Sequence, residues 1–227
     1  MTEISVRAVQ AMAKISKDAV ELRLHPANWP EELDKHDPMG GVILSRKIDT
    51  AAQVFAEYEA ARIGRATDRN LAPDVAQAAN REDAEKQVPG LMLLLDDLRK
   101  RAAIFEEHRR RIALEALGAA PTEPADIAIL KEIRTHLKRL TERERTRCIS
   151  GFLQSNDRKG LCAVLTAPAY LTGVTKEQMD AFREEFFAVA DPARDSKHRA
   201  YRKAIAVADR AVEGVLRLLV HAAKTTA

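Results

Sequence analysis

His25, Asp34, His36 and Asp37 fall within one proline-rich stretch and supply donors that a divalent cation accepts. A metal centre needs its ligands held at fixed spacing, and no second ligand set at helical spacing accompanies these four. The His36-Asp37 pair is equally thin as the mark of a metal phosphohydrolase. Histidine and carboxylate in such loops are more often structural or solvated. Glu106-Glu107 with His108, and Glu184-Glu185, bring carboxylates beside apolar positions. General acid–base catalysis needs two groups converging on one substrate. Adjacent helical residues point about 100° apart, so each pair reads as solvated helix surface. His108, His136 and His198 are too distant in sequence for spacing alone to unite them. Gly40-Gly41 is followed by Val-Ile-Leu-Ser, without the lysine of a phosphate-binding loop, and neither GxSxG nor HExxH occurs. The expectation is a chain that is not an enzyme, with no catalytic residue, metal or cofactor.

Basic residues carry more weight. Arg99-Lys100-Arg101, Arg109-Arg110-Arg111, and the series Lys131, Arg134, Lys138, Arg139, Arg143, Arg145 and Arg147 lie on two central helical segments. Paired antiparallel, these segments would offer a strip that tracks phosphates, with Arg99, Arg101, Arg110, Arg134, Lys138 and Arg145 as candidate contacts. Against this, Glu106, Glu107, Glu115, Glu132, Glu142 and Glu144 are interleaved as ready ion-pair partners. The stretch Arg158–Phe187 has helix–turn–helix proportions, yet its second helix mixes Lys176, Gln178 and Arg183 with Glu177, Asp180, Glu184 and Glu185. Those acids would repel a phosphate backbone, and the connection through Pro168 exceeds the usual turn. With 37 basic and 34 acidic residues the net charge is only +3, which permits nucleic acid as a partner without requiring it.

The elements that position these groups are helices. The 227 residues are 46% apolar but only 4% aromatic and 31% charged, an alanine-rich composition that favours helix. Six of the ten aromatics, Phe152, Tyr170, Phe182, Phe186, Phe187 and Tyr201, lie in or beside Arg158–Phe187, where a compact core is expected. That stretch reads as a short helix, an Ala-Pro-Ala break, a Leu-Thr-Gly turn and a helix opened by Thr175 with Gln178 as reciprocal cap. Before it, the spacing predicts a helix over 2–24, a loop over 25–41 pinned by Trp29, and a helix from Ser45 to Ile63 ended by Gly64. A weak helix over 68–87 is expected to stop at Pro89-Gly90. Gly41–Leu44 carries the one short strand-like alternation.

Two heptad-type seams follow. The first is Leu91, Leu95, Leu98, Ala102, Phe105, Arg109, Ile112 and Ala116, interrupted at Arg109. The second is Tyr201, Ile205, Ala208, Val212, Val215, Leu219 and Ala222. Between them, the helix through Ile129, Ile133, Leu137 and Leu140 restarts at Thr141, where Thr-Glu-Arg-Glu is a capping-box pattern. Cys148 and Cys162 sit among apolar neighbours and read as small buried hydrophobes. The N-terminus lacks the apolar run of a signal peptide, and no window approaches the ~20 apolar residues of a membrane span.

Ala167, Pro168, Tyr170, Leu171, Thr172, Gly173, Val174, Thr175, Glu177 and Gln178, followed by a long charged helix, resemble a segment of uncharacterised helical proteins encoded by tailed phages and prophages. The resemblance covers residues 158–210 and implies a phage genomic setting and a virion or assembly role; it brings no catalytic residue.

The expected fold is all-α: a helical region over 1–90 containing the loop 25–41, a long helical hairpin over 91–147, and a helical core with a terminal long helix over 148–227. The expected function is a non-enzymatic structural or interaction protein. Leu91, Leu95, Leu98, Phe105, Ile112, Tyr201, Ile205, Val212, Val215 and Leu219 would form the seam for a second copy or another protein. No membrane partner is expected, and the location is the cytoplasm, or the virion if the chain is phage-encoded. The alternative is a nucleic-acid-binding accessory protein using the basic strip.

Overall fold

A computed structural model describes residues 15–118 and 121–224; the expected helical positions Ile4, Ala8 and Ala11, with the Thr2 cap, lie outside them. The described residues form ten α-helices and no strand, so the fold is all-α. The helices are α1 (Lys17–Leu24), α2 (Glu32–His36), α3 (Pro38–Thr67), α4 (Pro73–Leu117), α5 (Pro124–Arg139), α6 (Glu142–Gln154), α7 (Arg158–Leu165), α8 (Ala169–Thr172), α9 (Lys176–Ala190) and α10 (Pro192–Lys224). The chain forms two compact units. One comprises 1–104 with 199–227, the other Phe105–His198, so the boundaries fall inside α4 and α10 rather than near 90 and 147.

Several expected breaks are absent in the first unit. The stretch 25–41 is largely helical: a 3-10 turn Pro26–Asn28, then α2, then α3. Asp37, not Ser45, opens α3, its carboxylate accepting from the Gly40 amide at 2.9 Å with Pro38 at the first helical position. Gly41–Leu44 is therefore helix, and α3 runs on past Gly64. Beyond that glycine, Arg65 pairs with Asn80 and with Asp83 of α4. Lys47 meets Asp97 at 2.6 Å, so contacts descend along α3 as they ascend along α4, and the two helices are antiparallel. Pro89 does not end α4. A helix-interior proline costs about 3 kcal/mol, but Pro89 is exposed while Ala84, Leu91, Leu95 and Leu98 are buried on the same helix. Burial of that leucine face outweighs the lost hydrogen bond. α1 is capped by Ser16, whose hydroxyl accepts from the Ala19 amide, and buries Val20 while Leu22 stays exposed. Trp29 is half-buried, its indole N–H donating to Asp34.

In the second unit α5 packs on α7 and α8, and α6 and α9 pack on α7. Their shared core holds Ile112, Leu117, Leu137, Ile149, Leu153, Leu161, Leu165, Met179, Phe182, Phe186 and Phe187. Both capping boxes form: Thr141 with Glu144 and Thr175 with Gln178. The Ala-Pro-Ala break becomes the one-turn α8, which Gly173 ends at φ +76°. A side chain there would be strained and would meet the Arg145 guanidinium at 3.0 Å. On α9 Phe187 joins the core and Val189 is exposed; on α5 Leu130 is buried and Ile129 is exposed. Cys162 is buried with Leu130 and Ala163, as expected, whereas Cys148 is only half-buried at the edge of the core.

Candidate functional site

Arg109 interrupts the apolar seam of α4, and the second unit accommodates it by burying the side chain with partners. Its Nη2 donates to Asp195 Oδ1 at 2.8 Å, its Nη1 pairs with Glu184, and its guanidinium carbon lies 5.0 Å from the Phe187 ring centroid. Asp195 is buried in the first turn of α10, where the helix dipole favours negative charge. Arg109 Nε is buried without a hydrogen bond. The sequence interruption thus marks an ion-paired arginine inside the core edge.

Beside this arginine, a groove follows the last turns of α4. Its narrower part, about 120 Å³, is lined by Glu106, Arg109, Arg110, Asp180, Arg183 and Glu184, with equal numbers of acids and arginines. Its wider part, about 360 Å³, has a floor of Leu117, Leu165 and Phe186. Arg110, Arg111 and Arg183 rim that part, against Glu107 as the one acid. Arg183 is held in place: Nε and Nη2 both donate to the Leu165 carbonyl at the end of α7, and Nη1 pairs with Asp180 at 3.3 Å. Arg111 has only an exposed 3.7 Å pair with Glu115, worth little in water. Arg110 is exposed and makes no hydrogen bond or ion pair among the described residues. Leu114 is 44% exposed, an apolar side chain at the mouth of an arginine-rimmed cleft.

His198 stacks on His108 with ring centroids 5.7 Å apart and meets Phe105 and Phe187 edge-on. Burial chiefly, and then His108 and Arg109, hold its pKa below the ordinary histidine value.

The proposed seams are inside the chain. Leu91, Leu95, Leu98, Ile112, Tyr201, Ile205, Val212, Val215 and Leu219 are buried, and Phe105 is half-buried against His198. Heptad spacing here reports intramolecular packing, and these residues offer no surface to a second copy. The basic strip is also largely committed. Arg99 pairs with Asp209, Arg101 with Asp97, and Arg134 donates to the Ala163 carbonyl. Arg145 donates to the carbonyls of Leu137, Leu140 and Gly173, serving the C-terminus of α5 and the glycine turn rather than a phosphate. Of the six candidate phosphate contacts only Arg110 and Lys138 remain exposed and uncommitted.

Asp37 is occupied as the α3 cap and as acceptor for the Tyr201 hydroxyl, and the His25 imidazole accepts from the Ala27 amide. Among the described residues no three His, Cys, Asp or Glu side chains gather where they could hold a metal ion. Glu184 pairs with Arg109, and Glu106 and Glu107 line the two parts of the groove, so both carboxylate pairs border it. The groove itself escaped sequence reasoning. Its signal was the arginine run 109–111 adjoining Leu114, four residues after Arg110 on the same helix face.

No family model, curated protein or solved structure matches the chain. No described helix is long and apolar enough to cross a membrane.

Proposed function

We propose that this chain is a non-enzymatic helical interaction protein that engages another protein through the groove of its second unit. The observation that supports this reading is the pairing of an uncommitted Arg110 with an exposed Leu114 above an apolar floor. Contiguous apolar surface rimmed by polar groups is typical of binding sites. Self-association through the heptad seams is not part of the proposal, because their residues are consumed in folding. The resemblance of residues 158–210 to phage-encoded helical proteins suggests a particle or assembly setting for the partner.

The experiment is site-specific crosslinking in the native host, with photoreactive benzoylphenylalanine in place of Leu114 and, as a control, in place of the exposed Ile63. A discrete adduct from position 114, absent from position 63 and lost on adding Arg110→Glu, is the expected result. Equal smears from both positions would sink the reading.

Nucleic-acid binding is the second reading, favoured by Lys131, Lys138, Arg139, Arg143 and Arg147, which are exposed on α5 and α6 without an ion pair or hydrogen bond among the described residues. Duplex binding with a steep salt dependence, weakened by Arg143→Glu with Arg147→Glu, is its mark. Salt-insensitive or absent binding counts against it.

A further inference from the structure

We infer that the occupant of the wider cleft is an acidic, leucine-bearing helical segment of a partner protein. The inference rests on the interaction reading above and adds the chemistry of what binds. Arg110 at the rim has no ion pair, Arg111 has only its weak exposed pair with Glu115, and Arg183 is shared with Asp180, so the rim beside the apolar floor carries uncompensated positive charge at Arg110 and favours negative charge and apolar bulk on the same ligand. Arg183 is fixed by the Leu165 carbonyl and Asp180, which leaves it pre-positioned. Arg110 lacks a partner of its own, and its planar fork matches a carboxylate in two-point contact. The apolar floor is continuous with the core of the unit through Leu117, Leu165 and Phe186, so a side chain inserted there completes an existing packing layer.

The groove runs beside a helix, the geometry in which a partner helix lays an apolar stripe. Its volume, about 360 Å³, lies near the lower end of the range for binding clefts and suits side chains of a protein segment. A polyphosphate backbone fits less well. Glu106, Asp180 and Glu184 line the narrower continuation and would repel a second run of phosphates, whereas a carboxylate-bearing segment can end there. The cleft therefore has a direction: cationic and apolar at Leu114, charge-balanced at Arg109.

The test is fluorescence anisotropy of the full chain with a fluorescein-labelled helical peptide bearing leucines on one face and glutamates flanking them. Two further probes are the same peptide with serine for each leucine, and a labelled DNA duplex. The expected result is saturable binding of the leucine peptide, weakened by about tenfold or more in Arg110→Glu, a loss comparable to that of one charge-assisted contact. Leu114→Asp should weaken it likewise, and Arg69→Glu, at an exposed residue of the first unit, should not. Equal binding of the serine peptide, competition by duplex at the same site, or indifference to Arg110→Glu would each overturn the inference. If the peptide fails while the crosslinker at position 114 still yields its discrete adduct, the acidic-helix assignment is wrong and the interaction reading stands. If both fail, both are wrong.

Discussion

Arg109 and Asp195 form a salt bridge whose side chains are only 7% and 1% exposed. Two charges taken out of water gain little net stability together, but either one left alone is costly. Arg109→Ala is therefore expected to destabilise the fold by about 3–5 kcal/mol, and Asp195→Ala by less, because Arg109 keeps its pair with Glu184. Replacing both, Arg109→Met with Asp195→Leu, should recover most of that loss, with Glu184 relaxing to solvent because it is 40% exposed. Urea unfolding of the three variants gives the comparison. A double variant as unstable as the singles would mean that the pair carries structural information that packing cannot replace.

Arg145 offers a contrast between a structural and a binding arginine. Its three donors reach three carbonyls, so Arg145→Lys keeps the charge but loses the fork that spans them. The expected cost is about 2 kcal/mol, from hydrogen bonds made by a charged donor and carbonyls left unsatisfied. Chemical denaturation measures it. Were Arg145 a phosphate contact instead, lysine would serve nearly as well and stability would hardly change.

His198 is expected to make the second unit acid-sensitive. His198 has its folded pKa below the ordinary value of about 6.5, because burial, His108 and Arg109 all disfavour the imidazolium. Glu106 and Asp195 oppose this more weakly. The unfolded chain then binds the proton more readily than the folded one. Stability is full above about pH 6.5 and falls as pH drops towards the folded value. Thermal unfolding between pH 7.5 and about 5 should show this decline, and His198→Phe should flatten it while preserving the edge-on ring contacts. An unchanged slope in His198→Phe would assign the acid sensitivity to other groups.

How legible the molecule was depended on whether local chemistry or tertiary packing decided each feature. Thr141–Glu144 and Thr175–Gln178 were readable because a capping box is satisfied within four residues. Pro89 and Gly64 misled because their local cost is overruled by distant contacts, the buried leucines of α4 and the Arg65–Asp83 pair. Asp37-Pro38 was a readable helix start hidden by its proline-rich surroundings. The heptad seams were located correctly, but spacing does not say whether the facing helix belongs to the same chain. The groove was least legible: Arg110 and Leu114 are adjacent on one helix, but Arg183 and Phe186 reach it only through the folding of α9.

Tyr201 closes the first unit by donating its hydroxyl to Asp37 Oδ2 at 2.6 Å, across 164 residues of sequence. Burial first, and then the hydrogen bond and charge of Asp37, push the phenol well above the usual tyrosine range. A neutral phenol is therefore favoured by the fold. Its contribution is fully present below the unfolded pKa of about 10 and is lost as pH rises beyond it. Tyr201→Phe should cost about 1.5–3 kcal/mol at neutral pH, the range for a hydrogen bond to a charged acceptor, and should reduce the loss of stability above pH 10. Gly40→Ala attacks the same junction sterically: the added Cβ would overlap the Tyr201 hydroxyl and lie 2.8 Å from Cζ. Because Cζ remains in Tyr201→Phe, that second change relieves only part of the overlap. Gly40→Ala is expected to destabilise by about 1–3 kcal/mol in either background, measured by guanidinium unfolding across neutral and alkaline pH. Full rescue by phenylalanine would show that the hydroxyl alone sets the close approach of α3 to α10.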